Sequence, residues 1–217
     1  KSDYFRYCGG TAFNNGNCTN ASTFLSPTFV VYCEDNGWSQ FVTSNLDTIT
    51  EATPICDSLN NSMNSCVVGN CGLLGIQWGQ FSATVVLDTN FFGTLECDNW
   101  MFVYASGGRN TGVNYVSQPS IVAYDRLNIE EAPGNSSVQF NSNKPIPFFC
   151  DGQDVTYNWS AYDPNGDSLY WELDTAWSTF LNGNLSSIPY SGSYTGQQPM
   201  PGTTTIDNAT GQLNFTA

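Results

Sequence analysis

The chain contains no histidine and only 5 lysines and arginines. The first absence removes Ser-His-Asp and Cys-His catalysis, His-ligated zinc or haem, and the ordinary general base at neutral pH. The second, set against 19 aspartates and glutamates and a formal charge of −14, excludes a surface built to hold phosphate backbones or anionic lipid. No nucleic-acid partner is expected. Apolar runs are short; none approaches the roughly 20 residues that span a bilayer, so no membrane insertion is expected. Nor does any long stretch repeat apolar residues at i, i+3, i+4 and i+7 without a breaker, so any helix is short. A leader-like segment is also lacking and the chain opens with Lys1, as a mature or excised piece of a secreted protein would.

What is present points to a packed β-protein. Aromatic residues make up 14% of the 217 residues and charged ones 11%, the reverse of a disordered acidic tail. Strand signals dominate. Phe81, Ala83, Val85 and Leu87 alternate along one run, Trp100–Tyr104 is apolar on both faces, and Tyr157, Trp159 and Ala161 alternate with polar residues, as do Leu169, Trp171 and Leu173. Asn15-Gly16, Asn36-Gly37, Asn165-Gly166, Asn182-Gly183 and Pro201-Gly202 supply tight turns between such runs. The fold class expected is all-β, in tandem antiparallel β-sandwich domains. Pro133-Gly134-Asn135 through Pro145-Ile146-Pro147 reads as a stiff connection. It places a cysteine-rich domain at residues 1–140 and a second domain at 141–217.

Eight cysteines stand at Cys8, Cys18, Cys33, Cys56, Cys66, Cys71, Cys97 and Cys150. Their even number, wide spacing and lack of any Cys-x-x-Cys pair favour disulfides over a thiolate metal site. Cys56, Cys66 and Cys71 lie close together in loop-like sequence, so a local bridge, Cys56–Cys66 or Cys56–Cys71, is expected there. The remaining pairing stays open.

The carboxylate pairs Glu34-Asp35 and Glu130-Glu131 do not suit glycoside hydrolysis, because adjacent residues on a strand face opposite ways. No catalytic residue is assigned. Asp163-Pro164-Asn165-Gly166-Asp167 reads first as a hairpin turn. A second reading is a calcium loop, with oxygen ligands at Asp163, Asn165 and Asp167 on every second residue. No cofactor is required by the sequence, and calcium is the one ion it suggests. Four of the six tryptophans fall in strand-like runs; Trp38 and Trp177 sit beside loops and are the candidates for a ligand surface. Arg109 is notable only as a rare cation.

In order along the chain, these segments resemble large cell-surface proteins of the Bacteroidetes, which are exported by the type IX secretion system and related to gliding-motility adhesins. The first part of the resemblance rests on Phe5-Arg6-Tyr7-Cys8-Gly9-Gly10, on Thr53-Pro54-Ile55-Cys56 with Cys66, and on Cys97-Asp98-Asn99-Trp100 followed by Gly107-Gly108-Arg109-Asn110. In that last motif glycines replace the family's two cysteines, so its pairing does not carry over and Cys97 needs another partner. The second part rests on Asp163-Pro164-Asn165-Gly166-Asp167 and Asp207-Asn208-Ala209-Thr210-Gly211, similar to turns of cadherin-like and Ig-like modules. The resemblance implies Ig-like or cadherin-like sandwiches, an extracellular, cell-surface location, and O-glycans at Asp-Ser/Thr-apolar triplets, with Thr48 and Ser58 as the sites in loop-like sequence. An Ig-type sandwich needs about seven strands, and residues 148–217 supply fewer. The missing edge then comes from unseen chain or from a neighbour by strand addition. The function expected is that of a non-enzymatic structural or adhesive module of a surface protein or fibre, partnered by its own copies or by neighbouring domains. The alternative is a carbohydrate-binding module that recognises surface glycans.

Overall fold

In a computed structural model, residues 2–7, 27–51, 76–87, 96–107, 109, 112, 114–116, 120–140 and 149–217 are described. Among them the chain is all-β, with antiparallel sheets and no helix. The strands are β1 (Ser2–Tyr7), β2 (Thr28–Cys33), β3 (Ser39–Thr43), β4 (Asn45–Glu51), β5 (Ile76–Ser82), β6 (Asn99–Ser106) and β7 (Ile121–Asn128). They continue as β8 (Gln139–Phe140), β9 (Asp154–Asn158), β10 (Ala161–Tyr162), β11 (Trp177–Leu181), β12 (Asn184–Ser187), β13 (Thr205–Ile206) and β14 (Gln212–Thr216).

The chain divides into two compact units: Lys1–Phe29 with Phe41–Gly93, and Val30–Gln40 with Thr94–Ala217. The sequence had put the boundary at 140/141 instead. Strands from after residue 141 share sheets with strands from before it: β11 pairs with β7 through Trp177 and Val122, and β10 pairs with β8. The expected linker is also tied down where it is described. The Ser136 N–H donates to Asn165 Oδ1, and the Ser137 hydroxyl donates to Asp125.

In the first unit β5 lies between β1 and β4. Phe81 is fully buried there. So is Ser44, whose N–H and hydroxyl both donate to the Pro27 carbonyl, at 3.0 and 2.7 Å. A buried hydroxyl satisfied in this way avoids the cost of an unmade hydrogen bond. The strand expected to start at Phe81 ends at Ser82 instead. Burial still alternates beyond it, with Ala83, Val85 and Leu87 half-buried. Alternation marks an extended chain, and no strand partner is needed to produce it.

A six-stranded sheet runs in the order β12-β11-β7-β6-β2-β3, and its strands β6, β7, β11 and β12 lie wholly in the second unit. Its centre is β6 against β7, in unbroken register from Asn99 opposite Asn128 to Ser106 opposite Ile121. Both strands are rich in β-branched and aromatic residues, which suit a pleated, packed surface. Met101, Val103 and Val122 form the core on one face, and Val30, Tyr32, Tyr124, Trp177, Phe180 and Leu185 pack around them. Trp100, on the opposite face of β6, is also buried, as the doubly apolar run Trp100–Tyr104 predicts. Asn182 and Gly183 both take positive φ (48° and 82°) and turn β11 into β12, the geometry an Asn-Gly hairpin requires. A Cβ on Gly183 would run into the Tyr32 ring.

A three-stranded sheet in the order β13-β14-β9 lies in the same unit. Residues 163–176 form no strand, although Leu169, Trp171 and Leu173 alternate as expected and are half-buried. Trp171 is held by Asn208, its N–H donating to the Asn208 carbonyl and its carbonyl accepting from the Asn208 amide.

Candidate functional site

The most tightly built local structure joins the β2–β3 hairpin to the start of β6. Cys33, at the end of β2, is disulfide-bonded to Cys97, just before β6, and both are buried. Around this bond the hairpin closes on itself. The Gly37 N–H donates to the Cys33 carbonyl, the Cys33 N–H to the Trp38 carbonyl, and the Trp38 N–H to Asn36 Oδ1. Asn36-Gly37, with Gly37 at φ 78°, supplies the turn its sequence suggests.

Asp35 then reaches across the junction. Its carboxylate accepts from the Asn99 amide (2.7 Å) and from the backbone N–H groups of Asp98 (2.8 Å) and Asn99 (2.9 Å). The Asn99 side chain first, and then the two backbone donors, hold the Asp35 carboxyl below its ordinary value of 3.8. The Asn36 amide donates to the Glu96 carbonyl at 3.0 Å. The Cys33 and Cys97 sulfurs and an Asp35 oxygen lie within 4.8 Å of one another. As a disulfide the sulfurs are not thiolates, so this cluster is a clasp rather than a metal centre.

The other cysteine assignments fare differently. Cys8, Cys18, Cys56, Cys66 and Cys71 lie outside the described residues. Cys150 was expected in a disulfide and is instead a free, exposed thiol. The other two described cysteines are already bonded to each other.

Trp38 and Trp177 do not form an open platform. Trp38 is half-buried and meets Trp100 edge-to-face at 6.2 Å, and Trp177 packs on the Met101 core. The loop-like sequence beside each residue concealed the strand contacts that cover it. The strongly exposed rings are Phe41 and Tyr170, at 75% and 74%.

Asp163, Asn165 and Asp167 lie in a tight turn. Asp163 Oδ1 accepts from the N–H groups of Asn165 (2.7 Å) and Asp167 (3.3 Å), the Gly166 N–H donates to the Asp163 carbonyl, and Asn165 Oδ1 is taken by Ser136. These bonds account for the loop as a turn. Among the described residues no trio of Asp, Glu, His or Cys ligand atoms gathers around it. Thr48, expected in a loop, lies instead in strand β4 just past a register shift between Leu46 and Thr48, and it is exposed. Ser58 lies outside the described residues.

Among the described residues Arg109 meets no carboxylate; its terminal nitrogen donates to the carbonyls of Ser120 (3.4 Å) and Trp177 (3.2 Å). It thereby ties the chain entering β7 to the first residue of β11. Nearby, a shallow cleft of about 280 Å³ is lined by the hydroxyl-bearing Ser106, Ser120, Ser178 and Thr179, with Phe180. No titratable side chain lines it.

The outer strands of the six-stranded sheet escaped sequence reasoning. β3 is Ser-Gln-Phe-Val-Thr and β12 is Asn-Leu-Ser-Ser. No charged residue stands between Asp35 and Asp47, nor between Asp174 and Asp207. In so acidic a chain that silence was a readable signal.

In comparison with known proteins, no family model, curated protein or solved structure matches the chain.

Proposed function

We propose that the chain is a non-enzymatic structural module of an extracellular bacterial surface protein or fibre. The observation that carries this reading is the clasp at the head of the six-stranded sheet, where a buried disulfide is surrounded by the Asp35 and Asn36 hydrogen bonds. Disulfides form and persist in oxidising compartments, and a rigid cross-linked sheet suits a load-bearing part outside the cell. The hydroxyl-lined cleft offers hydrogen bonds but no acid, base or activated nucleophile. The resemblance of its motif order to that of type IX-exported adhesins favours the same reading. Thr48, exposed on β4, is the accessible position for the O-glycan that resemblance implies. The glycan-binding alternative loses its original support, since both tryptophans proposed for it are engaged in packing.

The test is surface labelling of intact producing cells with an antibody against the chain, before and after external protease. Labelling that protease abolishes is expected. A chain found only after the cells are permeabilised, or catalytic turnover by the purified protein, overturns the proposal.

A further inference from the structure

We propose that the Cys33–Cys97 clasp is one of two states of the same three residues: when the disulfide is reduced, the Cys33 and Cys97 thiolates and the Asp35 carboxylate bind a divalent metal ion of the zinc class. The inference rests on the geometry of the clasp and not on where the chain works.

Three ligand atoms are already assembled. Both sulfurs and an Asp35 oxygen lie within 4.8 Å of one another. Among the described residues no other group of three Cys, Asp or Glu ligand atoms comes together in this way. The Cα atoms of the two cysteines stand 6.0 Å apart. A tetrahedral zinc ion holds each thiolate at about 2.3 Å, which sets its two sulfurs about 3.8 Å apart. Once the bond between the sulfurs is open, side-chain rotation is enough to reach that spacing.

The oxygen ligand is set in place beforehand. The Asn99 amide and the backbone N–H groups of Asp98 and Asn99 fix the Asp35 carboxylate at the junction, and outer donors of this kind orient a ligating carboxylate. Asp35 is exposed whereas Cys33 is fully buried, so an ion enters from the carboxylate side and meets the sulfurs behind it. Arg126 is held at 3.1 Å by Glu34, the residue beside Asp35, which offsets its charge. The chain as a whole, at −14, draws cations to its surface.

The donor set selects the ion. Two thiolates and one carboxylate leave a fourth position to water, which suits zinc and its congener cadmium and is too soft for calcium or magnesium. In the reducing step a dithiol reductant passes two electrons to the disulfide and becomes a disulfide itself, while the Cys33 and Cys97 sulfurs each gain a proton. The ion then displaces both protons, because the thiolate is the ligand. Bond and ion need the same sulfurs, so they exclude each other. The junction is held covalently in oxidising surroundings and by the ion in reducing ones.

The test uses the full chain, oxidised or reduced with a phosphine, and the variants Asp35→Asn and Cys33→Ser. With cadmium-113, the reduced parent should give an NMR resonance in the range of two thiolate ligands. That resonance should move in Asp35→Asn, vanish in Cys33→Ser and be missing from the oxidised chain. Cadmium on other thiols persists in every reduced sample and is set apart in that way. Zinc affinity, read by competition with a chromophoric chelator, should fall about 10–100-fold in Asp35→Asn, the scale of loss when the support of a metal site is removed. Zinc should also raise the melting temperature of the reduced parent more than that of either variant. Asp35→Asn keeps both cysteines, so circular dichroism of its oxidised form shows that it folds. The same resonance in all three reduced chains, or in the oxidised one, overturns the proposal. So does a reduced parent that zinc stabilises no more than the variants. Surface labelling of cells does not bear on these measurements, so either reading can fail alone.

Discussion

The β6–β7 core of the six-stranded sheet and the β13-β14-β9 sheet belong to one compact unit yet are held by different means. The first has a buried core around Met101 and Val103 and a covalent clasp at Cys33–Cys97. The second buries only the facing pair Val155 and Phe215 and is closed by polar turns. Asp207 Oδ1 accepts from the N–H groups of Ala209 and Thr210 and from the Thr210 hydroxyl, the Gly211 N–H donates to the Asp207 carbonyl, and Gly211 takes φ 72° beneath the Trp171 indole. The contrast teaches that a chain short of charge and helix can order itself in two ways, by cross-linked burial or by saturating short turns with their own hydrogen bonds.

The largest way to break the contrast is to remove the clasp. Cys97→Ser opens a loop with a sequence separation of 64, and its loss from the unfolded-state constraint is worth about 4 kcal/mol. Urea unfolding of the variant should show a loss of that order. A loss below about 1 kcal/mol would mean that burial alone holds the sheet.

Next in size is Gly211→Ala, which places a Cβ against the Trp171 ring at a backbone conformation that L-residues resist. The conformational part alone costs about 1–2 kcal/mol. Tryptophan fluorescence should report the displaced indole together with the lowered stability. Unchanged fluorescence and stability would show that the turn does not hold Trp171.

Acid compares the two regions directly. The Asp35 carboxyl is lowered chiefly by the Asn99 side chain and that of Asp207 chiefly by the Thr210 hydroxyl. A lowered folded value means that each contribution is complete above the ordinary 3.8 and is lost as pH falls through the folded value. Asp35→Asn and Asp207→Asn should therefore each lower the melting temperature at neutral pH. Their deficits against the parent should shrink below pH 3.8. A deficit that stays constant into strong acid would assign the effect to geometry instead of charge.

The smallest effect concerns the Asp163 loop. Its oxygens already accept the loop's own N–H groups, so EDTA should leave the melting temperature where it is. A clear fall, reversed by calcium, would restore the ion to Asp163, Asn165 and Asp167.

Local sequence made much of this readable. Trp100–Tyr104 announces a strand buried on both faces, and Asn182-Gly183 announces its hairpin, because both signals are complete within a few residues. Trp177 and Trp171 show where such signals end. Trp177 looks peripheral until β7 arrives beside it, and Trp171 alternates like a strand residue while its backbone is claimed by Asn208. The domain boundary was hidden for the same reason: Pro133–Pro147 has a linker's composition, but β11 and β12 complete a sheet whose earliest strand is β2. Cysteine parity, likewise, counts thiols without placing them, and Cys150 stands free.

One seam in the large sheet has a mechanical consequence. Strands β6 and β7 are joined along their whole length, whereas β7 and β11 meet through the single pair Val122 and Trp177, with the Arg109 guanidinium bridging beside it. Tension applied across the strands would therefore peel the β11–β12 hairpin away at that seam before the clasped half yields, with the Arg109 guanidinium as the brace that resists it.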